Sequence, residues 1–175
     1  VHTYTVTASS VFGEGTTSIT YTVAKAVCTT NSGTITLSPG LTGTAAYQGV
    51  KIKGTLTGCT GEPFTEAKYT ASLTTTNKVT CSAMSGPGAA TFGTAKYAWT
   101  PKTKATAGTF SMPLTETAGI ALSSELESGP YSPASISGTV REGYFGGVTC
   151  GIPVNGKPVK PVTKATFTGS AVVFS

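Results

Sequence analysis

Apolar and polar residues alternate along most of the chain with a period of two, which is the period of a β-strand. The opening VHTYTVTASSV sets Val and Tyr against Thr, FGEG supplies turn residues, and TTSITYTVA resumes the alternation through Ile19, Tyr21 and Val23. These runs predict a β-hairpin over residues 1–24. Residues 25–27 then read as a linker into a second unit, residues 28–175. GTITLS predicts a short strand closed by the Pro39-Gly40 turn signal. YQGVKIKGTLTGC places Val50, Ile52, Gly54 and Leu56 on one face and Lys51, Lys53, Thr55 and Thr57 on the other. That is a half-buried antiparallel strand with a wet outer face. AKYTASLTT repeats it through Tyr69, Ala71 and Leu73, and AKYAWTP sets Tyr97 and Trp99 opposite Lys96 and Ala98.

Further strand-like runs follow in GTFSMPLTE, IALSSELESGP, SISGTVREG and KATFTGSAVVFS. No segment combines i, i+3, i+4 apolar spacing with a cap. ETAGIALSSELE comes nearest, and Gly119 and the Ser123-Ser124 pair weaken it. Many short strands separated by turn signals predict an all-β fold, an antiparallel β-sandwich of immunoglobulin-like or Greek-key type. Its expected core holds Val50, Ile52, Leu56, Tyr69, Leu73, Trp99, Phe110, Met112, Leu114, Ile136, Val140 and Phe167.

Composition sharpens this picture. Only 11% of the 175 residues are charged, 35 are Thr, Asp is absent and His2 is the only His. Few groups remain for acid–base chemistry. The net charge of +5 comes from lysine, since Arg141 is the only Arg. The lysines are scattered from Lys25 to Lys164, densest at Lys51/Lys53, Lys102/Lys104 and Lys157/Lys160/Lys164. They read as solvated strand faces and loops with at most a weak attraction to an anionic surface. Nucleic-acid readers cluster Arg and Lys and interleave stacking aromatics, so no nucleic-acid partner is expected. No run of 18 apolar residues predicts a membrane span. No signal peptide or lipid-attachment motif is visible; a secreted protein lacks a signal peptide in its mature or trimmed form.

The four cysteines, Cys28, Cys59, Cys81 and Cys150, form no Cys-x-x-Cys pair. Two disulfides are expected, and with them an oxidising, extracytoplasmic setting. Of three connectivities, Cys59–Cys81 with Cys28–Cys150 is favoured: the first joins neighbouring strand ends, the second brackets the main domain.

Candidate chemistry is sparse. A Ser-His-acid triad or a papain-like cysteine site would both depend on His2. Glycosidases need two carboxylates; the candidates are Glu62/Glu66 and Glu125/Glu127, the latter pair on one face of an extended segment. Glu116 and Glu142 are singletons. Calcium is disfavoured by the lack of Asp beside Asn31, Asn77 and Asn155. No catalytic residue, metal site or cofactor is expected. Sugar-binding modules expose aromatic platforms, and Trp99, Tyr97, Tyr131, Tyr144 and Phe145 are the candidates, although a lone Trp in an alternating strand reads first as core. Gln48 and the three Asn residues permit an internal Lys–Asn or Thr–Gln crosslink, with no pair indicated.

The segment HTYTVTASSVFGEGTTSITYTV resembles the last two strands of a bacterial immunoglobulin-like repeat, with Tyr4 where such folds place a corner tyrosine. From Cys28 onward the chain resembles a group of uncharacterised secreted actinobacterial proteins. SGTITLSPGL, VKIKGTLTGCTG, VTCS, WTPKTKATAGTFSMPLTET, SGPYSPASISGTV and GGVTCGIP carry that resemblance. It implies export and a compact β-rich domain and brings no activity with it.

The expected function is therefore a secreted, non-enzymatic structural or interaction module of the cell surface. Val1, Tyr4, Val6, Ile19, Tyr21 and Val23 of the hairpin would need a covering surface. Three arrangements supply one: the chain's own domain, a fibre neighbour reached by strand addition, or a swapped dimer. A module binding carbohydrate or cell-wall polysaccharide is the alternative, and a secreted glycoside hydrolase using Glu125 and Glu127 the least favoured.

Overall fold

The computed structural model describes residues 2–10, 13–21, 26–60, 63–81, 90–102, 106–112, 114, 120–128, 131, 133–143 and 161–175. Strand β1 (His2–Ser10) pairs antiparallel with β2 (Gly13–Tyr21), His2 opposite Tyr21 and Ser10 opposite Gly13. Val1 and Val23 lie outside the described residues, as do the side chains of Tyr4, Val6, Ile19 and Tyr21.

The remaining strands are β3 (Ala26–Leu41), β4 (Gly49–Thr60), β5 (Glu66–Thr75), β6 (Thr91–Thr100), β7 (Thr106–Ser111), β8 (Ile120–Ser128), β9 (Ala134–Gly143) and β10 (Val162–Phe174). Each pairs antiparallel with its chain neighbour, and β10 closes the ring onto β3. The fold is all-β, but it is an up-and-down barrel rather than the expected sandwich. A sandwich leaves edge strands at both sheets. Here β10 bonds to β9 on one side and to β3 on the other, and among the described strands each lies beside its chain neighbour.

The alternation expected from sequence sets the two faces of the wall. Along β5, Ala67, Tyr69, Ala71 and Leu73 are buried, while Lys68, Thr70, Ser72 and Thr74 are exposed. Eight strands leave an interior just wide enough for side chains to fill. Every expected core residue is buried, apart from Val140, whose side chain lies outside the described residues.

Aromatic rings form a column inside the barrel. Tyr69 stacks on Tyr97 at 5.4 Å between centroids and on Phe110 at 5.9 Å, and Trp99 stacks on Tyr97 at 6.5 Å. Space for the rings comes from glycine. In one row across the wall, Phe167, Gly33, Gly54 and Tyr69 are successive partners. A Cβ on Gly54 would lie 2.3 Å from the Tyr69 ring, and one on Gly33 would lie 2.6 Å from Phe167 Cζ.

Two local expectations are corrected. Ala26 and Val27 belong to β3 rather than to a linker, with Val27 opposite both Thr60 and Val173. The Pro39-Gly40 signal does not end its strand. β3 runs on to Leu41 through a register shift against β10, with Gly40 at φ 103°. Buried Gln48 holds this irregular stretch. Its Oε1 accepts from Gly40 N–H at 2.9 Å and its Nε2 donates to Gly40 C=O at 3.2 Å. The side-chain amide thus replaces a missing ladder partner.

The favoured disulfide pairing is also corrected. Cys28 bonds to Cys59, not to Cys150, and so Cys59 is not bonded to Cys81. The two cysteines are direct partners in the β3–β4 register, which brings their side chains together. With a sequence separation of 31, the bridge contributes about 3–4 kcal/mol by restricting the unfolded chain. Cys81 is disulfide-bonded as well, and Cys150 lies outside the described residues.

Candidate functional site

Eight-stranded barrels either fill with side chains or hold one small ligand. Asn31, Leu56, Tyr69, Tyr97, Phe110, Leu122, Ile136 and Val172 surround a residual void with no room for a water molecule. Polar groups inside are few. Tyr69 OH donates to Asn31 Oδ1 at 3.0 Å, and Tyr97 OH donates to Ser124 Oγ at 3.3 Å. Ser124 Oγ in turn donates to the carbonyl of Thr109. Asn31 Nδ2 has no hydrogen-bond partner among the described residues. Burial pushes the phenol pKa values of Tyr69 and Tyr97 far up; the neighbouring Tyr97 raises Tyr69 further, and the bonds to Asn31 and Ser124 oppose the shifts. Both rings are neutral packing elements at physiological pH.

The strongest aromatic-platform candidate fails on burial. Trp99 is 3% exposed, enclosed by Phe64, Tyr131 and Phe174 at 5.1–5.4 Å. Tyr97 is 2% exposed. Tyr131 is half-buried at φ 64° and packs edge-on against Trp99 and Phe64, so its ring caps this cluster. Tyr144 and Phe145 lie outside the described residues.

No family model, curated protein or solved structure matches this chain. The outer wall itself therefore has to indicate what the chain can do.

Glu125 and Glu127 do share the outer face of β8, with Leu126 buried between them, and both are exposed. They project from a single strand beside a shallow depression of about 450 Å³ formed with Pro133, Ser135 and Ser175. Two carboxylates on one strand do not face each other across a substrate, as acid and nucleophile or base must. Glu66 is half-buried at the start of β5, and Glu62 and Glu116 lie outside the described residues, as does the Glu142 side chain. Among the described residues no group of three His, Cys or acidic side chains could hold a metal ion. Of the crosslink candidates, Gln48 clamps Gly40 and buried Asn31 faces Tyr69 inside a wall whose lysines at 51, 53, 68 and 96 point outward; Asn77 is exposed, and Asn155 lies outside the described residues.

The wall also shows what sequence reasoning missed. Phe92, on the outer face of β6, is 61% exposed. It borders a groove of about 530 Å³ over β7, β8 and β9, lined by hydroxyls of Thr109, Ser111, Ser123, Ser135 and Ser137 and by Glu125. The signal was present in sequence. Phe92 occupies a polar position in the alternation that buries Ala95, Tyr97 and Trp99.

Proposed function

We propose that the chain is a secreted, non-enzymatic structural or interaction module that acts through its outer surface. The carrying observation is the filled barrel: its interior is occupied by an aromatic column with no room for a ligand among the described residues. The disulfides favour an oxidising compartment, and the resemblance to secreted actinobacterial proteins points the same way.

Assembly by strand addition is part of this reading. The barrel has closed on itself, whereas β1 and β2 form a separate two-stranded sheet. An isolated hairpin is marginal in water, and its outer edges carry unpaired N–H and C=O groups that template another strand. Deleting residues 1–24 tests this. Sedimentation at rising concentration should show the full chain associating while the truncated chain remains a folded monomer. A full chain that stays monomeric at the highest concentration would rule assembly out.

Exposed Phe92 above a hydroxyl-lined groove favours a second reading, a carbohydrate-binding module. Trp99 plays no part in it.

A further inference from the structure

We infer that the outer face of β4, β5 and β6, together with Phe92, binds an anionic polysaccharide. This rests on the carbohydrate-binding reading and names its ligand class.

Register unites lysines that are far apart in sequence. Lys53, Thr70 and Lys96 are successive partners across β4, β5 and β6, and in the next row so are Lys51, Ser72 and Thr94. All six are exposed, and they line a depression of about 250 Å³. Strand spacing sets Lys53 and Lys96 about 10 Å apart at the backbone, and Lys51 stands about 7 Å from Lys53 along β4. Three lysines therefore flank a largely apolar depression, with Ile52 and Ala71 in its lining, along which the hydroxyls of Thr70, Ser72 and Thr94 are set. Among the described residues no acidic side chain lines this depression. The acidic residues nearest in register lie beyond it. Glu66 shares the outer face of β5 with Lys68, and Glu125, in the row of Thr94 and Thr109, lines the neighbouring groove that Phe92 also borders, so the ring marks the edge of the basic track.

Phe92 lies two residues from Thr94 on the same outer face, opposite Thr74 on β5 and next to Gly93, which pairs with Phe110 of β7. An exposed ring offers an apolar surface for the C–H face of a sugar, and the hydroxyls of Thr70, Ser72 and Thr94 can exchange hydrogen bonds with sugar hydroxyls. The lysines add point-charge recognition of carboxylate, sulfate or phosphate groups. A track of ammonium, hydroxyl and one aromatic group fits a charged sugar chain better than a nucleic acid. Base recognition relies on several stacking rings and on the planar fork of Arg, and this track has one ring and no Arg.

Affinity electrophoresis of the full chain in gels containing polygalacturonate, its neutral methyl ester or single-stranded DNA tests the inference. Polygalacturonate should retard the protein most. Lys51→Gln/Lys96→Gln should weaken that interaction roughly three- to tenfold, as expected for two exposed charge contacts. Lys78→Gln/Lys102→Gln removes the same charge from elsewhere and should have little effect. Phe92→Ala should weaken polygalacturonate retardation as well. Equal losses in the two double variants would overturn the site, leaving only net charge. Retardation by the methyl ester equal to that by polygalacturonate, and lost in Phe92→Ala, would overturn the anionic specificity while keeping the carbohydrate reading. Stronger retardation by DNA, indifferent to Phe92→Ala, would overturn the polysaccharide as occupant. No retardation by either sugar polymer would overturn the carbohydrate reading itself.

Discussion

The Tyr69 and Tyr97 hydroxyls sit among aromatic rings inside the barrel, where a phenolate would lose its hydration. Burial is the main cause of their raised pKa values. The folded state holds these protons above pH 10, the ordinary phenol range, whereas the unfolded chain releases them. The stabilisation is complete below about pH 10 and is lost as pH rises toward the folded values, by about 1.4 kcal/mol per group for each pH unit. Absorbance titration at 295 nm should therefore show these two tyrosines ionising only with unfolding. Tyr97→Phe should raise the pH of alkaline unfolding while costing about 0.5–1.5 kcal/mol at neutral pH through its lost hydrogen bond. Ionisation of all the tyrosines together near pH 10 in the folded protein would contradict this burial. The inward position of Tyr69 was legible in sequence, because it stands in phase with Ala71 and Leu73; Tyr97 stands in phase with Trp99 in the same way but reads as a platform candidate, and its burial corrects that. Asn31 was not legible, because a polar residue on an inward position is explained only by its partner Tyr69, which lies in another strand.

At the scale of the element, Gln48 decides the shape of β3. Pro39-Gly40 carries every local mark of a turn, yet the strand continues because a side chain 8 residues away satisfies both backbone groups of Gly40. Gln48 is itself held, its N–H donating to Thr75 Oγ1 and its C=O accepting from Thr75 N–H, both at 3.0 Å. Gln48→Ala strands a buried donor and a buried acceptor, and should cost about 2–4 kcal/mol in urea unfolding. Gln48→Glu sets a buried carboxylate oxygen against the Gly40 carbonyl and should cost more than Gln48→Ala at neutral pH, the difference shrinking as acid protonates the carboxyl. A loss below about 1 kcal/mol in Gln48→Ala would show that the clamp is dispensable. This tertiary override is why the strand end was misread. The basic track was hidden for a related reason. Lys51 and Lys53 read as one wet strand face and Lys96 as another, and only register shows that β5 alone separates them.

At the scale of the molecule, the strands were legible one by one but their arrangement was not. The inside–outside alternation of a sandwich strand and of a barrel strand is the same. The difference lies in a single pairing, that of β3 with β10, for which neither strand carries a local mark. That seam also orders the folding of the chain. Every other barrel pairing joins chain neighbours, as Ile35 with Ile52, whereas Ile35 meets Ala165 from the far end of the domain. Bringing together partners roughly 130 residues apart rather than roughly 17 costs about 2 kcal/mol more in chain entropy. The meander can therefore form hairpin by hairpin, with the seam closing last. Conservative truncations of Ile52 should slow folding. Truncations of Phe167 should instead speed unfolding and leave the folding rate nearly unchanged.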